Sequence, residues 1–154
     1  MPTTLTPYLS FDGRTRDAFT FYAQALGASI VAMQRYADMP APAADEAGCG
    51  GGPAPGHSDA DGIMHACLLL PGGAMLMAGD TPPGRAFEGM HGVMLALQYD
   101  AVDAAQAAFH ALAAGGQVTM PLGPSFWAAC FGMVTDRFGV SWAVNGAPIP
   151  IPAA

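Results

Sequence analysis

The chain has 154 residues, of which 52% are hydrophobic and 11% charged, and its formal net charge is −7. This composition favours a globular domain with a well-filled core and argues against an intrinsically disordered chain. Lysine and arginine together number 5, too few to build a binding face for a phosphate backbone, so we expect no nucleic-acid partner.

The cysteines and the absence of long apolar runs indicate where the protein works. Cys49, Cys67 and Cys130 are widely spaced and form no CxxC pair, which argues against a disulfide framework and a zinc finger. Residues 1–7 do not resemble a signal peptide. No apolar run approaches the roughly 20 residues of a membrane span. We therefore expect a soluble, cytoplasmic protein that has no membrane partner.

The first half of the chain predicts one helix and four strands. Residues 5–11 and 28–36 have β-like compositions and flank a helical segment at 14–26, which Gly27 ends. The runs at 63–70 and 74–80 predict two further strands. Between them and the preceding strand lies segment 37–61, rich in alanine, proline and glycine, which is long for a connection in a compact domain. We expect it to be either a mobile lid or a disordered loop.

The second half repeats this order, as strand 93–100, helix 101–114 and strands at 117–122, 126–136 and 139–145. An offset of 88 residues aligns Asp12 with Asp100 and Gly27 with Gly115, which indicates an internal duplication. Each aspartate precedes a helix, so we expect it to cap that helix. The chain thus predicts a single domain, residues 1–154, built from two βαβββ modules at 5–80 and 92–146. In each sheet one face packs the helix, and the other faces the second module, a partner chain or a ligand.

Paired βαβββ modules resemble the vicinal oxygen chelate superfamily, which includes glyoxalase I, extradiol dioxygenases, and bleomycin and fosfomycin resistance proteins. The resemblance is greatest to its PhnB-like branch. It is carried by PYLSFDG at 7–13, FYAQALG at 21–27, MHA at 64–66, FW at 126–127, and VTDRFGVSW at 134–142 with Asn145. It implies an α+β fold in which the paired modules form an open, cupped mixed sheet. It also implies a homodimer.

Members of this branch are often labelled as demethylubiquinone methyltransferases, but this sequence does not favour that activity. A usual methyl-donor site needs a parallel βαβ unit that opens on a glycine-rich loop. The run GCGGGPAPG at 48–56 neither follows a predicted strand nor begins a helix. We interpret it as a linker.

In metal-dependent relatives, four side chains from the first and last strands of the modules bind a divalent cation. The resemblance places these positions at Thr6, Met77, Met94 and Ala143, or at Pro7 in place of Thr6 if the first strand shifts by one residue. Zinc, manganese and iron favour imidazole and carboxylate ligands, which this set lacks. We therefore expect no metal and no other cofactor, and no Lewis-acid chemistry.

Alternation along the strands predicts what lines the face that carries the metal in such relatives. The predicted ligand-binding residues are mostly apolar, with a few hydroxyl and amide groups, as in sites for small molecules. They are Tyr8, Ser10, Met75, Met77, Met94, Gln98 and Asn145, together with Phe126 and Trp127, which follow the turn at 123–124. The two aromatic residues could equally serve packing alone. Trp142 falls on the opposite face, in the core.

His65 and Asp80 are the candidate catalytic residues. If the turn between their strands comprises residues 71–73, His65 shares the open face with the methionines of strand 74–80. If it comprises 72–73 alone, His65 lies opposite Asp80. His65 could act as a general base or as a hydrogen-bond donor to a ligand, or it could be a buried structural residue. For Asp80 we favour turn capping over catalysis.

Three functions remain open, in this order of preference. The first is a protein that binds a small apolar or cationic molecule, as the resistance relatives do. The second is a metal-independent enzyme that uses His65, with Asp80 or Tyr8, as an acid or base. The third is a metal enzyme, of lyase or dioxygenase type, whose ligands lie elsewhere, for instance at His65 with Asp80.

Overall fold

The computed structural model describes residues 2–39, 61–82 and 84–151. The run interpreted as a linker, 48–56, lies outside the described residues, as does Cys49. Most of the segment 37–61, expected to be a lid or a disordered loop, lies outside them as well. The described elements follow the order βαβββ twice, which confirms the predicted α+β class and the internal repeat. By backbone contacts the chain divides into two compact units, Met1–Glu88 and Gly89–Ala154. The single domain of residues 1–154 stays a prediction.

Each unit contains one helix and one four-stranded sheet. In unit one these are β1 (Tyr8–Phe11), α1 (Thr15–Leu26), β2 (Ser29–Arg35), β3 (Ile63–Leu69) and β4 (Met75–Asp80), with a 3₁₀ turn at Tyr36–Asp38. In unit two they are β5 (Leu95–Tyr99), α2 (Val102–Ala113), β6 (Gln117–Gly123), β7 (Ala128–Thr135) and β8 (Ser141–Pro148). Among the described residues, neither helix has the length and hydropathy that crossing a membrane requires.

The two sheets have the same topology. Their strand orders are β1-β4-β3-β2 and β5-β8-β7-β6. In each, the first and last strands of the unit run parallel, and the other neighbours run antiparallel. Among the described residues, the outer strands β1, β2, β5 and β6 have a strand neighbour on one side only, whereas the central strands β4, β3, β8 and β7 have one on both sides.

In unit one, α1 covers one face of the sheet and leaves the other open. Strand β1 alternates between exposed and buried residues, with Leu9 and Phe11 on the covered side. The helix buries Phe19 and Tyr22 completely against this side. Burying an aromatic or large aliphatic side chain contributes about 1.5–3 kcal/mol, so this face supplies the core of the unit. Gly27 ends the helix with a left-handed φ of +63°, as predicted.

In unit two, α2 lies close to its sheet because two strand positions lack a side chain. A Cβ at Gly146 would lie 2.6 Å from Ala105 Cβ, and one at Gly132 would lie 2.8 Å from the Phe109 ring. Trp142 is only 1% exposed and lies on the covered face, as expected.

Candidate functional site

The register of the β3–β4 hairpin decides where His65 points. The ladder pairs Cys67 with Met77 and Ala66 with Ala78. Odd-numbered residues of β3 therefore lie opposite odd-numbered residues of β4. The turn therefore comprises residues 71–73, and His65 shares the open face with Met77. The two-residue turn that would bring His65 opposite Asp80 is not the one in the structure.

Tyr8 and His65 contact each other across β4. Tyr8 Oη lies 3.3 Å from His65 Nδ1 and 3.3 Å from the carbonyl oxygen of Met64. The two rings are stacked, with centroids 5.7 Å apart and planes inclined by 26°. Strand β4 lies between β1 and β3, and the Tyr8 side chain passes over it at Gly79. A Cβ at Gly79 would lie 2.9 Å from Tyr8 Oη, so the missing side chain leaves room for the pair.

Two phenols near this face keep their protons at neutral pH. Partial burial raises the pKa of Tyr8 above its ordinary value. Burial, with a smaller contribution from the Asp80 charge, also raises the pKa of Tyr36. Tyr36 Oη donates to the backbone carbonyl of Asp80 at 3.1 Å. Both residues therefore act as neutral hydrogen-bond donors.

Asp80 is buried and joins two elements of unit one. Its Oδ1 accepts from the Thr15 N–H at 3.0 Å and from Thr15 Oγ1 at 2.7 Å, and its Oδ2 accepts from the Ile63 N–H at 2.7 Å. A carboxylate is also stabilised at the positive end of a helix, here α1. These contacts favour a structural part, while the catalytic role considered for Asp80 stays an untested prediction. The capping predicted for Asp12 and Asp100 is wrong, because other residues occupy both N-cap positions and make no side-chain capping bond.

Four of the predicted ligand-binding residues share the open face with His65. Tyr8 pairs with Met77 across the β1–β4 ladder, and Ser10 pairs with Gly79. Met75 lies two residues from Met77 and is 38% exposed. We call Tyr8, Ser10, His65, Met75 and Met77 the tyrosine–histidine face. It combines thioether and aromatic surface with one hydroxyl, one phenol and one imidazole.

Unit two has an aromatic cluster around Trp127. Trp127 Nε1–H donates to Asn145 Oδ1 at 3.0 Å, and Asn145 Nδ2 donates to the Leu97 carbonyl at 3.4 Å. The Trp127 ring packs edge-on against the Phe126 and Phe131 rings, with distances between ring centroids of 4.7 Å and 5.0 Å. Phe126 is 76% exposed. We call Phe126, Trp127, Phe131 and Asn145 the tryptophan patch.

Phe131 was not among the predicted ligand-binding residues, and Gly79 was placed on the open face by alternation but was given no role. Phe131 pairs with Asn145 in the β7–β8 ladder, so the alternation of its strand was the signal that could have identified it. For Gly79 the signal was a glycine inside a strand, away from any turn. Gln98 is exposed and also pairs with Asn145. Met94 precedes β5 and is 45% exposed, so it stands outside the paired strand.

The residues at the positions that the resemblance assigns to a metal do not suit zinc, manganese or iron. Thr6 (or Pro7), Met77, Met94 and Ala143 offer no imidazole or carboxylate, which are the ligands that these ions favour. In the described part of the chain, no three His, Cys, Asp or Glu side chains cluster in a way that could hold a metal. We therefore derive no chemistry through a metal at these positions.

Known proteins resemble this chain over nearly its whole length. A model of the Glyoxalase/Bleomycin resistance protein/Dioxygenase superfamily matches residues 4–144. Protein YjdN of Escherichia coli K12 is 36% identical over 142 residues, which are 92% of this chain and 93% of that protein. The crystal structure of protein PA1353 from Pseudomonas aeruginosa matches with 44% identity and a TM-score of 0.80, covering 94% of this chain and 98% of that one. The PhnB protein from Bacillus cereus, described as a putative 3-demethylubiquinone-9 3-methyltransferase, matches with 27% identity and a TM-score of 0.69, covering 94% and 100%. The chain therefore belongs to the Glyoxalase/Bleomycin resistance protein/Dioxygenase superfamily, and within it to the PhnB-like branch.

Proposed function

We propose that this protein binds a small apolar or cationic molecule on the tyrosine–histidine face. The observation that carries the proposal is the contact between Tyr8 and His65, which places a phenol and an imidazole beside the thioethers of Met75 and Met77 on the open sheet face. Binding sites for small molecules combine such apolar surface with a few positioned polar groups. Two methionines beside the pair add pliable, polarisable surface that adapts to the shape of a ligand.

The charge of the chain favours a cation over an anion. The formal net charge is −7, and a field of this sign raises the local concentration of cations. Aromatic rings attract cations through their faces, and Tyr8 presents a partly exposed ring. A neutral aromatic molecule would bind through the same rings and thioethers, without the electrostatic contribution.

The tryptophan patch of unit two is a second, separate surface that we propose for binding such a molecule. Trp127 is held in place by Asn145, and Phe126 extends its aromatic surface towards solvent. Ordered aromatic side chains give contact area at a small entropic cost, because few torsions are frozen on binding. We assign Gln98 to the same ligand surface, and Met94 stays a predicted contact.

Two probes of the same shape and different charge test the proposal. Benzyltrimethylammonium carries a cation next to a phenyl ring, and neopentylbenzene is its neutral counterpart. We expect a titration of the full ¹⁵N-labelled chain with either probe to shift backbone resonances of β1, β3 and β4. Tyr8→Ala should weaken binding by about tenfold, which is the effect of losing about 1.4 kcal/mol of contact. His110→Ala, an exposed position on α2, is the control and should leave binding unchanged.

The proposal fails for this ligand class if neither probe shifts these resonances. It also fails if Tyr8→Ala and His110→Ala bind equally well. If only backbone resonances near Trp127 shift, the binding site is the tryptophan patch and not the tyrosine–histidine face. Trp127→Ala would then be the variant that loses binding.

A metal-independent enzyme is the second candidate function. Tyr8 Oη lies 3.3 Å from His65 Nδ1, so it can orient the imidazole as an acid or base requires. Conversion of a bound ligand that is lost in His65→Ala, with its dissociation constant little changed, would favour the enzyme. Binding without conversion would favour the binding protein.

We further propose that the protein is a homodimer, as the resemblance to the family implies, and that it is cytoplasmic, which the free thiols of Cys67 and Cys130 support. Supporting the homodimer, the outer strand β6 exposes Val118 at 44% and Met120 at 42%, and exposed apolar edge strands are normally covered. Sedimentation equilibrium should give twice the mass of the chain. A monomer at all accessible concentrations would contradict the homodimer.

A further inference from the structure

We infer that Tyr8, which passes over Gly79, holds His65 in the tautomer with its proton on Nδ1. Nε2 then presents a lone pair to an N–H or O–H donor of the ligand. The inference rests on the proposed function and deepens it, because it names the polar group that the ligand carries. A fixed Nδ1–H tautomer selects molecules with a donor over molecules with only an acceptor.

The Tyr8 hydroxyl has a single proton to donate. Tyr8 Oη lies 3.3 Å from the Met64 carbonyl and 3.3 Å from His65 Nδ1. A carbonyl only accepts, so both contacts become hydrogen bonds when Tyr8 donates to Met64 and Nδ1–H donates to Tyr8. If Tyr8 donated to Nδ1 instead, the Met64 carbonyl would lose this donor.

The Met64 carbonyl accepts a hydrogen bond from the Tyr8 hydroxyl. In the β3–β4 ladder the pairing runs as far as Ala66 with Ala78, and on the β2 side Met64 falls at the register shift between His65 and Ile63. The Tyr8 hydroxyl lies 3.3 Å from this carbonyl oxygen and supplies it with a donor. Because burial raises the pKa of Tyr8, the phenol keeps the proton that this hydrogen bond uses.

Gly79 makes this arrangement possible. A Cβ there would lie 2.5 Å from the Met64 carbonyl oxygen and 2.9 Å from Tyr8 Oη, both closer than real Cβ atoms approach. The backbone of Gly79 is not left-handed, so the glycine serves close approach and not an unusual turn. An alanine would push the phenol away from both partners.

The other nitrogen of the His65 ring, Nε2, takes the opposite protonation state to Nδ1 in the neutral imidazole. The hydrogen bond made by one imidazole nitrogen determines which nitrogen carries the proton. Within the described residues, His65 Nε2 makes no hydrogen bond, and the ring is half-buried on the open face. In the neutral ring, Nε2 can therefore accept a hydrogen bond from an N–H or O–H group of the ligand.

The tautomer is measured directly by NMR. A long-range ¹H–¹⁵N correlation on the full labelled chain at about pH 9, where an ordinary imidazole is neutral, distinguishes the two ring nitrogens. His65→Gln identifies the His65 signals among the 4 histidines. We expect Nδ1 to carry the proton in the wild type. Tyr8→Phe should remove this preference, because the ring stays and only the hydroxyl is lost.

Gly79→Ala should also remove the preference, and Gly123→Ala is its matched control. Gly123 lies in β6, and an added Cβ there meets no atom within 4 Å. Tyr99→Phe is the matched control for the tyrosine. The inference is overturned if the wild type carries the proton on Nε2, or if Tyr8→Phe leaves the tautomer unchanged. The tyrosine variant keeps the test decisive even if Gly79→Ala does not fold.

Indole and 1-methylindole test the consequence for the ligand. They differ by one N–H donor, and we expect indole to bind at least about fivefold more tightly, the value of one ordinary hydrogen bond. Tyr8→Phe should reduce this preference. Equal affinities would overturn the inference while leaving the proposed function standing. If neither probe binds, the proposed function fails for aromatic ligands, and the tautomer measurement still decides the inference.

Discussion

Asp80→Asn tests whether the buried carboxylate of unit one is structural. The two oxygens of Asp80 accept three hydrogen bonds, two from Thr15 and one from the Ile63 N–H. An amide can keep the oxygen that faces Thr15, but it turns an NH₂ group towards the Ile63 N–H. One hydrogen bond to a charged acceptor is lost, which costs about 1.5–3 kcal/mol, and a buried donor is left without a partner, which costs about 1–3 kcal/mol. Because the two costs overlap, we expect the free energy of unfolding to fall by about 2–4 kcal/mol.

Urea denaturation, monitored by circular dichroism, measures this fall in the free energy of unfolding. Asp12→Asn is the matched control, since Asp12 is exposed, and it should change the free energy of unfolding by less than about 0.5 kcal/mol. A loss below about 1 kcal/mol in Asp80→Asn would refute the reasoning. A catalytic role for Asp80 beside the tyrosine–histidine face would then be favoured over a structural one.

Three further predictions concern the core and the phenol. Trp142→Phe should lower the free energy of unfolding in urea by about 2–4 kcal/mol, because the ring is buried and its Nε1 donates to a buried carboxylate at 2.8 Å. Trp127→Phe at its half-buried site should cost about 1 kcal/mol, and equal losses in the two variants would contradict this assignment. Gly132→Ala should lower the unfolding free energy by about 1–3 kcal/mol, since the new methyl group would meet the Phe109 ring, and a thermal unfolding midpoint equal to the wild type would contradict the close helix–sheet contact. Burial raises the pKa of Tyr8, so its contribution to stability is fully present below about pH 10 and is lost as the pH rises through the folded pKa. The difference in tyrosinate absorbance between wild type and Tyr8→Phe should therefore titrate above pH 10, and a difference that titrates at or below about pH 10 would contradict the shift.

The elements with a clear period were predictable from the sequence. Leu9 and Phe11 alternate with polar residues, and Phe19 and Tyr22 recur at helical spacing, so strand and helix follow from which side chains must leave water. The repeat made the second unit predictable from the first. Trp142 followed from strand parity alone, since its neighbours Ser141 and Ala143 belong to the other face.

The candidate site was predictable only in part. Tyr8 and His65 are 57 residues apart, and their contact depends on a turn whose length the sequence left open. Asp80 and Thr15 are 65 residues apart, so neither chain segment reveals that one satisfies the other. Strand alternation places Gly79 on the same face, but only the tertiary structure shows that the Tyr8 side chain passes over it.

The sequence by itself determined the two βαβββ modules and the face of each sheet that is covered. These features depend on hydrophobic period and residue type, which are local properties of the chain. Only the tertiary structure decided that His65 shares its face with the methionines, that Tyr8 reaches it across Gly79, and that three donors engage Asp80. Hydrogen-bond partners are selected by register and distance between segments far apart in the chain, and a shift of one residue would reverse each face.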